Sequence, residues 1–366
     1  MTTAMQEAST QAGGPGEGLA GSLRERFKTY LRKVGSGEHT SSGLTREEAR
    51  EAMEMILRRQ ASDAQIGAFL IAHRIRRPEP QELAGMLDLY RELGPCITST
   101  ARALCFGMPF DGRTRTAPIY PLTALVLAAE GIPVVLQGGD RMPVKYGVTA
   151  MELFSALGLS LQGLPITAVQ HGLDSEQFAL IHQPDHFPLA DTLNGFREDL
   201  GKRPPVASLE LMWTAHQGDH LVVSGFVHPP TETRSWKALH MAGETDLATV
   251  KGLEGSTDLP ISRACITARV RAGRSERVIL HPRDHACYEA DAPWSDLESW
   301  AAQALAALAG QGDLSTALLW NSGVYLWLHG HRPSLEQGLE RARQLLNEGA
   351  GLSKLSDLIT WRSHAS

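Results

Sequence analysis

The sequence predicts an α/β protein in which an N-terminal helical bundle domain precedes a larger α/β domain with a mainly parallel sheet flanked by helices. Three observations predict it. Between residues 22 and 95 apolar side chains recur at helical spacing, punctuated by start and stop signals. From about residue 100, short apolar runs of strand character alternate with helical stretches, which is the pattern of helices packed on a parallel sheet. The chain has 366 residues, of which 42% are hydrophobic, enough to fill two cores.

Residues 1–21, with Gly13, Gly14, Pro15, Gly16 and Gly18, read as a flexible tail. Leu23, Phe27, Tyr30, Leu31 and Val34 then mark one amphipathic helix that ends near Gly35. Thr45-Arg46-Glu47-Glu48 is a capping box, and Ser62-Asp63-Ala64-Gln65 repeats the signal before Ile66, Phe69, Leu70 and His73. Pro78 and Pro80 stop that helix, and Pro80-Gln81-Glu82 opens a fourth that reaches Leu93. Residues 22–95 therefore form a four-helix domain. The α/β domain is expected over residues 100–360. Strands are read at Pro133–Leu136, within 217–228 and at Ala264–Thr267; helices are read at Pro121–Glu130, Ala150–Leu157, 294–309, 313–329 and from Ser334 to Leu346.

Composition narrows the function classes. A formal net charge of -6 makes the whole molecule a poor attractor of nucleic acid, though a local basic patch remains able to act. Four cysteines, Cys96, Cys105, Cys265 and Cys287, are far apart and unpaired in pattern, as in a reduced protein. No run of about 18 apolar residues exists to span a membrane, and the first twenty residues lack the features of a signal peptide. A cytoplasmic location is expected. His216 and His220, and His329 and His331, lie in strand and helix-end contexts that do not suit a metal pair. The seven tryptophans read as packing residues rather than base-stacking platforms.

Three segments carry a resemblance. Leu44–Ala49 with Ala61–Leu70, Leu125–Val135, and Ser334–Leu339 with Gly349–Leu355 are similar, in order and spacing, to anthranilate phosphoribosyltransferases, over roughly residues 22–360. The resemblance implies a class IV phosphoribosyltransferase fold. It also implies an α/β domain that binds phosphoribosyl pyrophosphate and Mg²⁺, a cleft against the helical domain for an aromatic amine, and a homodimer formed by the helical domain. Catalysis in that family needs amides and Mg²⁺ to hold a leaving pyrophosphate, so positioning and charge stabilisation dominate.

Against the family's motifs the present residues depart sharply. The G-T-G-G-D loop, whose glycines let amides approach pyrophosphate, is Gly107-Met108-Pro109-Phe110-Asp111-Gly112. Pro109 removes an amide donor and Phe110 adds a bulky ring, leaving Gly107, Asp111 and Gly112. N-I-S-T is replaced by Pro118-Ile119-Tyr120-Pro121. K-H-G-N-R is replaced by Leu136-Gln137-Gly138-Gly139-Asp140, where Asp140 would repel a phosphate; Gly138, Lys145 and Gly147 remain. The metal-binding D-G-L-D-E segment becomes Lys251–Asp258, with Asp258 and Glu254 as its candidate Mg²⁺ ligands. Arg197 falls where the family carries the arginine that orients the acceptor carboxylate.

The expected function is therefore a glycosyltransferase-family protein with eroded phosphoribosyl-pyrophosphate and Mg²⁺ motifs, taking a phosphorylated or nucleotide-like small molecule. The alternative is nucleic-acid binding. One branch of the family, which binds nucleic acid through basic helical grooves, has a P-S-Y-N-G-like first loop similar to Met108–Gly112. In this chain Arg26, Arg58, Arg59, Arg74, Arg76 and Arg77 are the candidate contacts, interspersed with Glu47, Glu48, Glu51 and Glu54.

Overall fold

A computed structural model describes residues 15–37, 40–271 and 274–365. Four helices open the chain: α1 (Pro15–Gly35), α2 (Arg46–Leu57), α3 (Asp63–Arg76) and α4 (Pro80–Leu93). Helix α1 thus begins inside the segment expected to be a tail, while residues 1–14 of that segment lie outside the described residues. Both capping boxes form: the Thr45 hydroxyl accepts from the Glu48 amide and the Ser62 hydroxyl from the Gln65 amide, with each N3 side chain reaching back. Helix α2 packs on α4 and α1 on α3, and the Phe27 and Phe69 rings meet at 5.4 Å between the latter two. Glu82, wholly buried on α4, accepts hydrogen bonds from the Leu44 and Glu79 amides and pairs with Arg76. It ties the start of α2, the end of α3 and the start of α4 together.

The second region is a seven-stranded sheet. Its strands are β1 (Ala103–Gly107), β2 (Val134–Gly138), β3 (Phe178–His182), β4 (His220–Gly225), β5 (Asp246–Val250), β6 (Cys265–Arg271) and β7 (Arg274–Leu280), in spatial order β3-β2-β1-β4-β5-β6-β7. Strands β1 to β5 are parallel; β6 and β7 are antiparallel. Strands β1, β2, β3 and β5 are buried at every residue, as expected of strands covered on both faces. In contrast β7 is exposed at most positions, and its first four residues, Arg274-Ser275-Glu276-Arg277, are polar.

Helices link and cover the strands. They are α5 (Tyr120–Ala129), α6 (Ala150–Ala156), α7 (Ile166–Glu176), the short α8 (Gln183–His186) and α9 (Pro188–Asp191), α10 (Asn194–Leu200) and α11 (Pro229–Met241). Four more close the chain: α12 (Leu297–Leu308), α13 (Ser315–His329), α14 (Leu335–Asn347) and α15 (Ala350–His364). Gly330, at φ 86°, ends α13, and the Ser334 side chain caps α14. The chain order reverses between β1 and β4, so the crevice at the carboxyl ends of these strands is where an open α/β sheet places a ligand. No helix among the described residues is long and apolar enough to cross a membrane.

Candidate functional site

The loops leaving β1 and β2 meet at that switch point. A Cβ on Gly107 would fall 2.1 Å from the Leu211 carbonyl oxygen, so the 3₁₀ turn Pro205–Leu211 crosses too closely for any side chain. Gly112, at φ +76°, and Gly147 stand back to back: a Cβ on Gly112 would lie 2.5 Å from Gly147 backbone, and one on Gly147 equally close to the Arg113 amide. Beside them Arg113 and Val148 exchange backbone hydrogen bonds of 3.2 and 2.9 Å. These glycines are required by one loop lying on another. Gly138 is different, since an added Cβ would make only an ordinary 3.8 Å contact with Ala150.

Side chains fill the space between the loops that leave β1 and β2. Phe110 and Tyr120 are both buried, and the cavity bounded by Pro109, Phe110, Tyr120, Gly138, Gly139 and Ser256 measures about 20 Å³. That holds one water molecule.

At the same point lies a residue the motif reading missed. Arg113, only 1% exposed, donates to Asp258 at 2.7 Å, to Glu254 at 3.2 Å and to Ser256 at 2.8 Å, and also to Thr116. Glu254 further accepts from the Arg115 and Thr116 amides at 3.0 and 3.1 Å, and Lys145 lies 3.3 Å away. Burial alone would raise Glu254, but Arg113, these amides and Lys145 outweigh it and bring it down to about 2. Asp258 accepts the Ile119 amide at 2.9 Å, and its complete burial raises it above the usual carboxylate value against the pull of Arg113. The only sequence signal for this cluster was an arginine directly after Asp111-Gly112.

Both candidate Mg²⁺ ligands are thus engaged by an internal cation. Mg²⁺ relies on free carboxylate oxygens and bound phosphate, and a guanidinium seated between the two acids repels it. The residues present do not fit the metal. Among the described residues no group of three or more His, Cys, Asp or Glu side chains is placed to hold one.

The remaining remnants are satisfied in the same way. Lys145 also donates to the Gly112 carbonyl at 3.2 Å; burial lowers it below the usual ammonium value, with Asp111 and Glu254 opposing. Asp111, buried, pairs with Arg203. Arg197 is buried on α10 against Glu210, and contacts the Met142 sulfur at 2.6 Å. Glu210 also accepts the Phe110 amide at 3.0 Å, and burial pushes it up to about 7 despite Arg197. A carboxylate of the chain itself therefore occupies the arginine expected to orient an acceptor. Asp140 is mostly exposed, 3.1 Å from His182, whose other ring nitrogen meets Asp185 at 2.8 Å.

The helical-domain arginines divide into two groups. Arg26 pairs with Glu51 at 2.5 Å, Arg58 with Glu54 at 2.9 Å, Arg59 with Asp63 at 2.8 Å, and Arg76 with Glu82. Arg59 also lies 4.6 Å over the Phe196 ring. Arg74 and Arg77 have no such partner among the described residues. They line a cleft of about 350 Å³ between the two domains, with Arg203 and Arg234 facing them and Pro204, Pro205 and Leu211 forming the apolar wall.

Comparisons with known proteins agree with this architecture. Residues 28–94 match the helical bundle domain of a glycosyl transferase family, and residues 113–352 match its a/b domain. An anthranilate phosphoribosyltransferase from Chromobacterium violaceum is 27% identical over 84% of this chain and 90% of its own. One from Moorella thermoacetica is 26% identical over 92% and 98%. Among solved structures, the anthranilate phosphoribosyltransferase of Thermus thermophilus superposes with a TM-score of 0.75 at 24% identity, covering 91% of this chain and 98% of that one. The Saccharomyces cerevisiae protein in complex with PRPP and Mg gives 0.78 at 16% identity, over 93% and 98%. The chain belongs to this glycosyl transferase family and has its two-domain fold.

Proposed function

With that membership as premise, we propose that this chain is a family protein whose phosphoribosyl-pyrophosphate and Mg²⁺ sites are closed by its own side chains, and which binds an anionic, phosphate-bearing ligand in the interdomain cleft. One observation carries the reading. Arg113 sits on Glu254 and Asp258 beside a 20 Å³ remnant, whereas the 350 Å³ cleft presents Arg74, Arg77, Arg203 and Arg234. Two acids line that cleft, Asp111 and Glu210, and both already hold arginines. The residual charge of the cleft is positive. Anthranilate transfer is not its activity under this reading, because the pyrophosphate has neither its amides nor its metal. Phosphoribosyl pyrophosphate is expected to shift the melting temperature equally with and without Mg²⁺, and stabilisation that requires both together would overturn the proposal. Inorganic pyrophosphate without metal is expected to bind weakly, and to lose that binding in an Arg77→Ala, Arg234→Ala double variant.

A second reading is nucleic-acid binding on the same fold. It is favoured by Arg74 and Arg77, which stand exposed at the end of α3 with no ion-pair partner among the described residues. Phosphate contacts by these arginines predict affinity that falls steeply with salt. A gel shift with single- and double-stranded DNA at low salt tests it, and absence of any shift removes it. A homodimer through the helical domain belongs to the same proposal, and light scattering on the purified chain measures it.

A further inference from the structure

The opposite end of the strands holds a second basic cavity. It lies at the amino ends of the parallel strands, away from the switch point, and measures about 440 Å³. Arg102 directly precedes β1, Arg269 and Arg271 lie on β6, and Trp327, His329, His331 and Arg332 come from the end of α13 and the turn after it. The charges here are unbalanced. Asp246 is shared by Arg102 at 2.6 Å and Arg271 at 3.0 Å, and Glu130 is shared by His331, Arg332 and Arg341. Four guanidinium groups around the cavity and its rim thus divide two carboxylates.

Arg269 is the fifth, and it has none. No hydrogen bond or ion pair engages it among the described residues, although Glu276 stands opposite it across the β6–β7 ladder. Its Nε and that of Arg102 are out of reach of water and unpartnered. Burial and the neighbouring Arg271 pull Arg269 below the usual guanidinium value. Asp246 and Glu276 offset part of this from a distance, but neither makes contact with Arg269, so an anion that did would supply the missing partner. The end of α13 supplies only weak compensation, since the negative pole of a helix acts within its last turn.

The cavity also contains an unsatisfied acceptor. His329, nine-tenths buried, donates from Nε2 to the Arg102 carbonyl at 3.1 Å, which leaves Nδ1 as an acceptor with no partner. Burial keeps this ring neutral, pushed down to about 4. Guanidinium donors beside one neutral imidazole acceptor suit a ligand that joins a phosphate to a hydroxyl, and the Trp327 side chain adds an apolar wall.

We propose that this cavity binds a hydroxyl-bearing phosphate monoester, a sugar phosphate in chemical class, with Arg269 as the residue that holds the phosphate. The site is separate from the interdomain cleft and does not depend on how that cleft is used.

The test is isothermal titration of the full chain with ribose 5-phosphate and with inorganic phosphate, in wild type and Arg269→Gln. Wild type is expected to bind ribose 5-phosphate more tightly than inorganic phosphate, and the variant to lose about tenfold or more in affinity for both. The ligand-free Arg269→Gln protein is expected to melt at or above the wild-type temperature, because a partly buried cation with no contacting partner has been removed. That stability gain separates a binding role from a structural one and shows that the variant folds. Equal affinity in wild type and variant, no binding of either compound at millimolar concentration, or a destabilised variant would each overturn the proposal. Tighter, Arg269-dependent binding of a single-stranded oligonucleotide than of ribose 5-phosphate would replace the small ligand with a polyanion.

Discussion

Replacing Arg113 with alanine isolates the contact proposed to close the site. The side chain is 1% exposed and binds two carboxylates, Glu254 and Asp258, of which the second is wholly buried. Removing one partner of a buried ion pair costs about 3–5 kcal/mol, because the charges left behind are uncompensated. Asp258, already raised by burial, relieves part of that cost by taking a proton, so the lower end, about 3 kcal/mol, is expected. In an α/β domain of this size that loss lowers the melting temperature by about 6–12 °C. The informative arm adds Mg²⁺. Two carboxylates freed of their guanidinium form the beginnings of a divalent site, so about 10 mM Mg²⁺ should restore part of the loss in Arg113→Ala and leave wild type unmoved. Differential scanning calorimetry at fixed ionic strength, with Na⁺ replacing Mg²⁺ in the control, measures both arms. A change under about 2 °C in the variant, or a Mg²⁺ shift in wild type, would show that Arg113 does not occupy the metal's place.

Further outcomes follow from other residues. Glu82 is buried, and although burial would raise it, His73 and Arg76 hold it down to about 2. Its folded value lies below the unfolded one, so its contribution of about 3 kcal/mol is present above about pH 4.5 and is lost as pH falls toward 2. Glu82→Gln should remove that acid limb from a pH series of urea melts. Leu136 is fully buried in β2, so Leu136→Lys should cost about 4 kcal/mol by forcing an ammonium into the sheet, whereas the exposed Asp140→Arg should change stability by less than about 1 kcal/mol. Thermal melts of the two variants compare them directly. Arg197→Ala should destabilise by about 3 kcal/mol, with Arg197→Ala, Glu210→Gln recovering much of it; additive losses in that cycle would deny the pair.

How much of this was legible in the sequence depends on the range of the interactions. The helical domain was readable because its signals are local: Thr45 with Glu48, and Ser62 with Gln65, lie three residues apart. The same holds for Gly330 and Ser334 around the turn between α13 and α14. β7 went unread because an exposed antiparallel strand needs no long apolar run, and only Val278–Leu280 of its seven residues are apolar. The site was half legible. Sequence placed Gly107, Gly112 and Gly147 at the loops, but only the structure shows that they serve Leu211 and one another. Arg113 with Asp258, and Arg197 with Glu210, are set by tertiary contact. Nothing in the spacing of Arg113 and Asp258, about 145 residues apart, announces the ion pair.

The pattern of these pairs has a common physical cause. A crevice lined by buried charges of both signs must neutralise them. Here each charge has found a partner from the chain: Glu254 and Asp258 take Arg113, Arg197 takes Glu210, and Asp111 takes Arg203. A ligand entering this crevice would have to break such pairs, and each break leaves a buried charge uncompensated at about 3–5 kcal/mol. The interdomain cleft and the β6 cavity are the opposite case. Arg74, Arg77 and Arg269 have no partner to lose among the described residues, so an anion binding there gains charge-assisted contacts without that penalty. Binding free energy is therefore expected at the unpaired arginines and not at the inherited motif, and substitution of Arg77 or Arg269 should affect anion affinity while leaving the Arg113 cluster intact.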